Sequence, residues 1–215
     1  MNFKFKKYWR KTGLNPKWGN KLIELVNLKK PNHFLEIGVF CGVTARNTCD
    51  LLNKINGKNF SYIGVDLFGS DQNKNKDEIE PTFLKDQKFS NPLKNIYYNY
   101  ILKENLNSIK SVNKLLDKYS DNIKLIAGDT NKVLKEIDLN NIDFTFLDGG
   151  HSYQTVINDL AILYDSMKGK KKVILCDDYG KESYIPEVEK AINDFTKQNN
   201  LKLNLIEGRF AEIIT

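Results

Sequence analysis

The chain has 215 residues, of which 40% are apolar and 28% are charged. This length suits one α/β domain with a full core, and the apolar content excludes a disordered chain of low hydrophobicity. The net charge of +6 comes from scattered lysines rather than one basic block, so composition does not indicate a nucleic-acid surface. No window approaches the roughly 20 apolar residues of a membrane span, and no apolar stretch follows the basic N-terminus. We therefore expect a cytoplasmic protein.

The cysteines offer no chemistry at this level. Cys41, Cys49 and Cys176 lie in apolar segments and lack CxxC spacing. This arrangement is typical of reduced core thiols rather than of disulfides or zinc ligands.

Short β-branched runs alternate with longer helical patterns along the chain. The alternation predicts five parallel strands and, between them, helices over about 42–54, 152–167 and 186–198. The last two runs, KLNLIEG and FAEIIT, are joined by a few residues around Gly208, so we expect an antiparallel hairpin. The five strand runs are HFLEIGV, FSYIGVD, KLIAGD, IDFTFLD and VILCDD.

Two segments lie outside this alternation. Residues 1–30 carry Trp9, Trp18 and one helical pattern, and we expect an N-terminal helical flap over the domain of residues 31–215. Residues 67–95 have no clean period and are too long for a simple connection, which favours a lid or substrate insertion.

Aromatic residues follow this insertion and lie within it. They could stack against a ring of a substrate, or they could form the buried stripe of a helix, which is the preferred interpretation for the tyrosines. They are Phe83, Phe89, Tyr97, Tyr98 and Tyr100.

The first chemical motif is the run from Glu36 through Gly38 to Gly42, between the first strand and the first helix of the alternation. Glycines at such a turn let a ligand approach backbone N–H groups at the helix start. A dinucleotide site would have the spacing GxGxxG, and here bulky Phe40 stands where the second glycine should be. A carboxylate at Glu36 would repel a pyrophosphate and attract an ammonium or sulfonium group, so the motif indicates a cationic nucleoside.

Acids also end the second and third strands. Asp66 stands where nucleotide-binding sheets place an acid for the ribose hydroxyls, and Asp129 could accept a hydrogen bond from an adenine amine. Alternatively, Asp66 only terminates its strand and Asp129 caps the helix that begins at Thr130. Their joint position at the carboxyl ends of the strands favours ligand binding.

Together these features resemble the class I S-adenosylmethionine-dependent methyltransferases over nearly all of residues 30–215. The resemblance implies a Rossmann-like doubly wound α/β sheet with strand order 3-2-1-4-5-7-6, strand 7 being antiparallel, and S-adenosylmethionine as cofactor. It assigns Glu36, Gly38, Gly42, Asp66 and Asp129 to the cofactor site, together with Asp148.

A second motif narrows the resemblance. The run Asp148-Gly149-Gly150-His151-Ser152-Tyr153, followed by Asp177-Asp178, is similar to the metal-dependent O-methyltransferases of the macrocin type. In this strand order, strands four and five are neighbours, so Asp148, Asp177 and Asp178 can reach one ion. Their oxygen ligands suit Mg²⁺ first and Mn²⁺ or Ca²⁺ next. The alternative is a solvated acidic loop.

The catalytic residues that we predict are His151 and Asp148. His151 lies past a Gly-Gly turn at a helix start, where a neutral imidazole could take the proton of a substrate hydroxyl, as the resemblance also implies. Alternatively, His151 is a structural residue at this helix start. His33, before the first strand, is interpreted as a turn residue.

The sequence therefore predicts an Mg²⁺-assisted O-methyltransferase acting on a small-molecule hydroxyl, in a sugar or a catechol-like vicinal diol. The sequence argues against methylation of nucleic-acid bases, because Asp-Gly-Gly-His follows strand four, where amine methyltransferases of this superfamily usually have an Asn/Asp-Pro-Pro-aromatic run. A nicotinamide-dependent oxidoreductase and a catalytically silent nucleotide-binding module are the alternatives. The resemblance leaves a homo-oligomer possible, and the lack of a long apolar window predicts no membrane partner.

Overall fold

A mixed seven-stranded sheet forms the centre of the computed structural model, which describes residues 1–69 and 86–215. Its order is β3-β2-β1-β4-β5-β7-β6, with β7 antiparallel to both of its neighbours. This confirms the predicted strand order and the reversed strand. The strands are β1 His33–Ile37, β2 Ser61–Asp66, β3 Ile123–Ala127, β4 Phe144–Leu147, β5 Val173–Cys176, β6 Leu203–Ile206 and β7 Phe210–Ile214.

Helices cover both faces of the sheet. Those predicted near 42, 152 and 186 begin within one residue of the expected positions. In chain order the helices are α1 Pro16–Lys29, α2 Val43–Asn56, α3 Pro92–Asn95, α4 Ile109–Leu116, α5 Thr130–Val133, α6 Tyr153–Met167 and α7 Pro186–Gln198. A six-residue π-helix, Ile96–Ile101, continues α3, and 3₁₀ turns span Asp117–Tyr119, Leu134–Glu136 and Lys181–Ser183.

The two faces of the sheet carry separate apolar layers. On β1, Phe34 belongs to the layer that also contains α1 and α2, whereas Leu35 and Ile37 belong to the layer with α6 and α7. Burial on both faces explains why the central strands are nearly continuous apolar runs rather than alternating ones.

The N-terminal region is built into the first of these layers. Asn15 caps α1 by accepting a hydrogen bond from the backbone N–H of Trp18, and Pro16 occupies the first turn, where its missing N–H costs nothing. The Trp18 ring meets Phe210 of β7 edge-on at 5.8 Å between ring centroids. Helix α1 therefore packs against the closing hairpin as well as against α2.

Only part of the 67–95 insertion can be described. Phe83 lies outside the described residues. Phe89 and Tyr98 are buried and stack with centroids 5.5 Å apart, whereas Tyr97 and Tyr100 are exposed. The buried-stripe interpretation thus holds for Tyr98 but not for the other two tyrosines.

Two smaller sequence expectations can be compared with the structure. Cys41, Cys49 and Cys176 are buried and free, as predicted. Within the described residues, none of the helices combines the length and apolar character that crossing a membrane would require.

Two leucines of α1 provide a test of this packing. Leu22 is fully buried, while Leu28 on the same helix is 72% exposed. We expect Leu22→Ala to lower the free energy of unfolding by about 2–5 kcal/mol, because it leaves a cavity between α1 and the sheet. Leu28→Ala should change it by no more than about 0.5 kcal/mol. Urea unfolding followed by circular dichroism measures both, and equal losses would contradict the packing described for α1.

Candidate functional site

The candidate site lies at the carboxyl edge of the sheet, where the parallel strands β1 to β5 all end. Because parallel strands end at the same edge, the predicted residues that follow them share this edge. They form two neighbouring parts. One is built around the turn after β1, and the other around the acids after β4 and β5.

The turn after β1 depends on its two glycines. Gly38 and Gly42 have φ angles of +91° and +77°, which residues with a Cβ rarely adopt. A Cβ at Gly38 would lie 1.7 Å from the carbonyl oxygen of Asp148, so only glycine allows the two backbones to meet. Gly42 is the N-cap of α2 and provides no side-chain cap to the first-turn N–H groups. The turn thus leads into the start of α2, and at Gly38 it contacts the backbone of Asp148 directly.

Asp66, at the end of β2, is oriented by this same turn. Its two carboxylate oxygens accept hydrogen bonds from the backbone N–H groups of Phe40 and Phe68, each at 2.8 Å. The side chain is half-buried, and its burial raises the pKa of its carboxyl group. Backbone N–H groups of the segments after β1 and β2 thus fix the orientation of this acid at the edge of the sheet. A contact between Asp66 and a ribose stays a prediction.

Asp129 has a local structural role. It is the N-cap of α5, and its Oδ1 accepts from the backbone N–H and the side-chain amide of Asn131, both at 3.0 Å. This is the capping alternative raised from the sequence. A contact between Asp129 and an adenine stays a prediction.

Glu36 does not reach the surface of the edge. Its side chain is 0% exposed, and its Oε2 accepts a hydrogen bond from the Tyr62 hydroxyl at 2.6 Å. Its Oε1 is buried without a hydrogen-bond partner. Burial raises the pKa of Glu36 to about 8, with the nearby charge of Asp66 adding to the effect.

This environment changes the argument made for Glu36 from the sequence. At neutral pH in the free protein, the carboxyl group is mostly protonated and carries little charge with which to attract a sulfonium. A cation bound nearby would lower this pKa and restore the charge. Direct contact of Glu36 with a ligand stays a prediction, and the burial favours an indirect role.

Arg10 supports the turn and was missed by the sequence analysis. Its guanidinium is nearly buried and donates to the backbone carbonyls of Cys41, Leu106 and Ser111, at 3.3, 3.1 and 2.9 Å. It also approaches Glu104 at 3.8 Å. The N-terminal segment is thereby attached to the glycine turn. An isolated basic residue far along the chain from its partners carries no sequence signal for this role.

The second part of the site is an acidic centre, which we define as Asp148, Asp177 and Asp178. One carboxylate oxygen from each lies within 4.8 Å of the others. Burial, together with the charges of Asp177 and Asp178, raises the pKa of Asp148 well above its usual range. The structure therefore brings together the predicted ligands, and their repulsion has to be offset.

Arg209 supplies one offsetting charge that the sequence analysis did not anticipate. Its Nε and Nη2 donate to the two oxygens of Asp177, each at 2.6 Å, and Nη2 lies 3.9 Å from Asp178. With all three carboxylates ionised, two negative charges remain after the charge of the guanidinium is subtracted. The oxygen donors of the centre and this charge fit one hard divalent cation.

His151 lies beside the same centre. Its Nε2 is 3.3 Å from Oδ2 of Asp178, and its side chain is 23% exposed. The adjacent Ser152 caps α6 by accepting from the backbone N–H of Thr155, which fixes the end of the Gly-Gly turn. His151 and the acidic centre line a cavity of about 10 Å³, whose wall also includes Val156, Val188 and Ile192. A cavity of this size holds about one water molecule.

Comparison with known proteins supplies independent information. A family model described as "Methyltransferase domain" matches residues 35–179. This range contains both the glycine turn and the acidic centre. An uncharacterised protein of Acanthamoeba polyphaga mimivirus is 43% identical over 54 residues, and the match covers 25% of this chain and only 24% of the relative.

Solved structures resemble the whole chain. A Podospora anserina methyltransferase with bound S-adenosylhomocysteine has a TM-score of 0.59 at 16% identity, covering 98% of this chain and 82% of that one. TomG from Streptomyces achromogenes is an O-methyltransferase in complex with S-adenosylmethionine. Its TM-score is 0.57 at 12% sequence identity, and the match covers 94% of this chain and 82% of TomG. A TDP-rhamnose 3'-O-methyltransferase of calicheamicin biosynthesis has a TM-score of 0.55 at 15% sequence identity, and the match covers 90% of this chain and 76% of that one. At such identities the likeness establishes the fold.

The buried acid of the first motif predicts a pH dependence of stability. The folded-state pKa of Glu36, about 8, lies above its ordinary value of 4.5, so the native state binds this proton more tightly than the unfolded state. The free energy of unfolding should therefore fall as the pH rises between about 5 and 8. Glu36→Gln removes this titration and should make the fall shallower.

Urea unfolding at several pH values measures the slope. Glu24→Gln provides the control, since Glu24 lies on the exposed side of α1 with its side chain 67% exposed. Its slope should match that of the unaltered protein. A Glu36→Gln slope equal to both would contradict the raised pKa.

Proposed function

Because the chain belongs to the methyltransferase-domain family, we propose that it is an S-adenosylmethionine-dependent O-methyltransferase acting on a hydroxyl group of a small molecule. The observation that carries the proposal is the direct contact between the glycine turn and the acidic centre, at Gly38 and Asp148. A donor held at the turn and an acceptor held at the centre would be neighbours. Such proximity is the main requirement for transfer of an already reactive methyl group.

The donor is proposed to bind along the turn. Asp66, fixed by two backbone N–H groups, would accept hydrogen bonds from the ribose hydroxyls, and Asp129 would lie towards the adenine. Gly38 and Gly42 allow the positive φ angles that shape this turn and place the start of α2 at its end. The neighbouring structures with bound S-adenosylmethionine and S-adenosylhomocysteine support this choice of cofactor.

The acidic centre is proposed to hold the acceptor through Mg²⁺ or another divalent ion. Asp148, Asp177 and Asp178 supply the negative charge and the candidate oxygen ligands for such an ion. When bound, such an ion lowers the pKa of an acceptor hydroxyl and stabilises the oxygen anion. Asp148 contributes to both parts of the site, since its backbone contacts Gly38 while its carboxylate belongs to the centre.

His151 is proposed to take the proton of the acceptor hydroxyl. In the tautomer in which Nε2 donates to Asp178, Nδ1 carries the lone pair that accepts this proton. The acceptor oxygen then forms a bond to the methyl carbon, while the carbon–sulfur bond breaks and its electron pair stays on sulfur. Asp178 would stabilise the imidazolium that results.

The acceptor class follows from the same centre. Two adjacent hydroxyls, as in a sugar or a catechol, are the oxygen ligands that a divalent ion can orient together. The TDP-rhamnose methyltransferase among the neighbours gives some support to a sugar. The Asp-Gly-Gly-His run after β4 favours such an acceptor over a nucleic-acid base. The oxidoreductase and silent-module alternatives receive no support from the comparisons.

A product screen tests this function. The purified protein is incubated with S-adenosylmethionine and either hydroxylated sugars or catechols, and release of S-adenosylhomocysteine is measured with Mg²⁺ and with EDTA. We expect release that depends on the acceptor and is abolished by EDTA, while calorimetric binding of S-adenosylmethionine persists in EDTA. Full activity in the chelator would remove the metal from the mechanism, and no binding of the donor would contradict the methyltransferase assignment.

The two histidines of the chain provide a matched test of the base. His151→Ala should lower turnover by roughly 10²–10⁴-fold, as expected for loss of a general base. His33→Ala is the control. His33 begins β1, at the edge of the sheet opposite the candidate site, and its Nδ1 lies 2.7 Å from the hydroxyl of Ser61 at the start of β2. The turnover of this variant should stay close to that of the unaltered protein. An unchanged rate in His151→Ala would assign that residue a structural role.

A further inference from the structure

We propose that Arg209 is a positioning residue of the acidic centre, a built-in cation that holds Asp177 and leaves Asp148 and Asp178 as the main ligands for one divalent ion. This inference rests on the metal part of the proposed function. It concerns a residue of the closing hairpin, far from the motifs of strands one to five.

The geometry of the pair carries the first step. Two parallel hydrogen bonds of 2.6 Å join the guanidinium to both oxygens of Asp177. The side chain of Asp177 is 1% exposed and that of Arg209 is 9% exposed, so water competes little with the pair. A two-pronged buried pair of this kind fixes the direction of the carboxylate. Each oxygen of Asp177 is thus already engaged by Arg209, which favours Asp148 and Asp178 as the main ligands of an added ion.

The surroundings keep Arg209 in this position. Its backbone carbonyl accepts from the N–H groups of Tyr179 and Gly180, directly after the acids, at 3.2 and 3.1 Å. The guanidinium also lies 5.8 Å from the ring centroids of Trp18 and Phe210, within the range of a cation–π contact. Displacement of the guanidinium by a metal ion would break both hydrogen bonds to Asp177 and both ring contacts. We therefore place the arginine and the ion together in the centre.

The close approach of the hairpin has its own sequence requirement. A Cβ at Gly180 would lie 1.9 Å from the carbonyl oxygen of Gly208. Glycine at position 180 therefore allows the loop after β5 to meet the turn between β6 and β7. Gly208 itself has a φ angle of +81°. The backbone at both positions is therefore adapted to bring Arg209 against Asp177.

The electrostatic consequence is specific. With Arg209 present, the centre has the charge that one divalent ion neutralises. Without it, three carboxylates would attract a cation more strongly, because a positive charge close to the ligands would be gone. Arg209 also gives Asp177 a partner when no ion is bound, which avoids a buried unpaired carboxylate.

A cycle of three variants tests the inference with Mn²⁺ as the probe, its binding being followed by electron paramagnetic resonance. Arg209→Gln should tighten Mn²⁺ binding by about tenfold or more, and Asp177→Asn should weaken it by about tenfold or more. The double variant Asp177→Asn with Arg209→Gln restores the original net charge. Its affinity should therefore return to within about threefold of the unaltered protein.

The double variant decides between two roles of Asp177. If it binds Mn²⁺ as weakly as Asp177→Asn, Asp177 is a ligand in its own right and the inference is wrong. The double variant leaves neither charge unpaired, so it keeps the test available if Arg209→Gln alone does not fold. An Arg209→Gln protein that folds and binds with unchanged affinity would likewise overturn the inference.

Lys17→Gln is the matched control. Lys17 also places a cation against the Trp18 ring, at 4.1 Å from the centroid, but its ion pair is with Glu182 rather than with an acid of the acidic centre. Its Mn²⁺ affinity should not change, and a tenfold change would mean that any nearby positive charge has this effect. Unaltered protein that binds no Mn²⁺ would contradict both this inference and the metal in the proposed function. Methyl transfer is measured in a separate assay, so failure of the proposed methyltransferase activity can be distinguished from failure of the inference about Arg209.

Discussion

Crowding of acids at one edge of the sheet is the constraint on which the site depends. The carboxyl ends of neighbouring parallel strands bring side chains of equal charge close together in a poorly hydrated environment. The structure offsets each charge differently. Glu36 is protonated through burial, Asp66 accepts two backbone N–H groups, Asp177 pairs with Arg209, and Asp178 faces His151. Burial and the charges of Asp177 and Asp178 raise the pKa of Asp148 well above its usual range.

This pattern separates the two halves of the proposed site. The half beside β1 and β2 is neutralised by protonation and by backbone groups, so it tolerates an empty state without a cation. The half beside β4 and β5 sets three carboxylates against one guanidinium, which is the basis for proposing a cation there. The contact between Gly38 and Asp148 joins the halves through backbone atoms. The two halves therefore meet without any side chain in between.

Much of the fold could be predicted from the sequence, because its signals are local. Alternating strand and helix patterns indicated the parallel sheet, and the short link at Gly208 indicated the reversed hairpin. The acids after strands four and five could be placed together for the same reason, since neighbouring strands end at one edge. Burial of an acid is harder to predict: nothing in the run around Glu36 distinguishes a carboxyl group at the surface from one beneath α2 that bonds Tyr62.

The partners that sequence analysis missed share a physical cause. Arg10 and Arg209 lie 31 and 32 positions from Cys41 and Asp177, respectively, and each acts through long-range contacts of its guanidinium. No periodicity or spacing connects such residues, because their meeting depends on how the terminal segments pack on the finished sheet. The antiparallel strand β7 illustrates this dependence. Its reversal places the start of the strand, and hence Arg209, at the same edge as the ends of the parallel strands. A parallel strand at this position would have begun at the opposite edge, and the acidic centre would lack its resident cation.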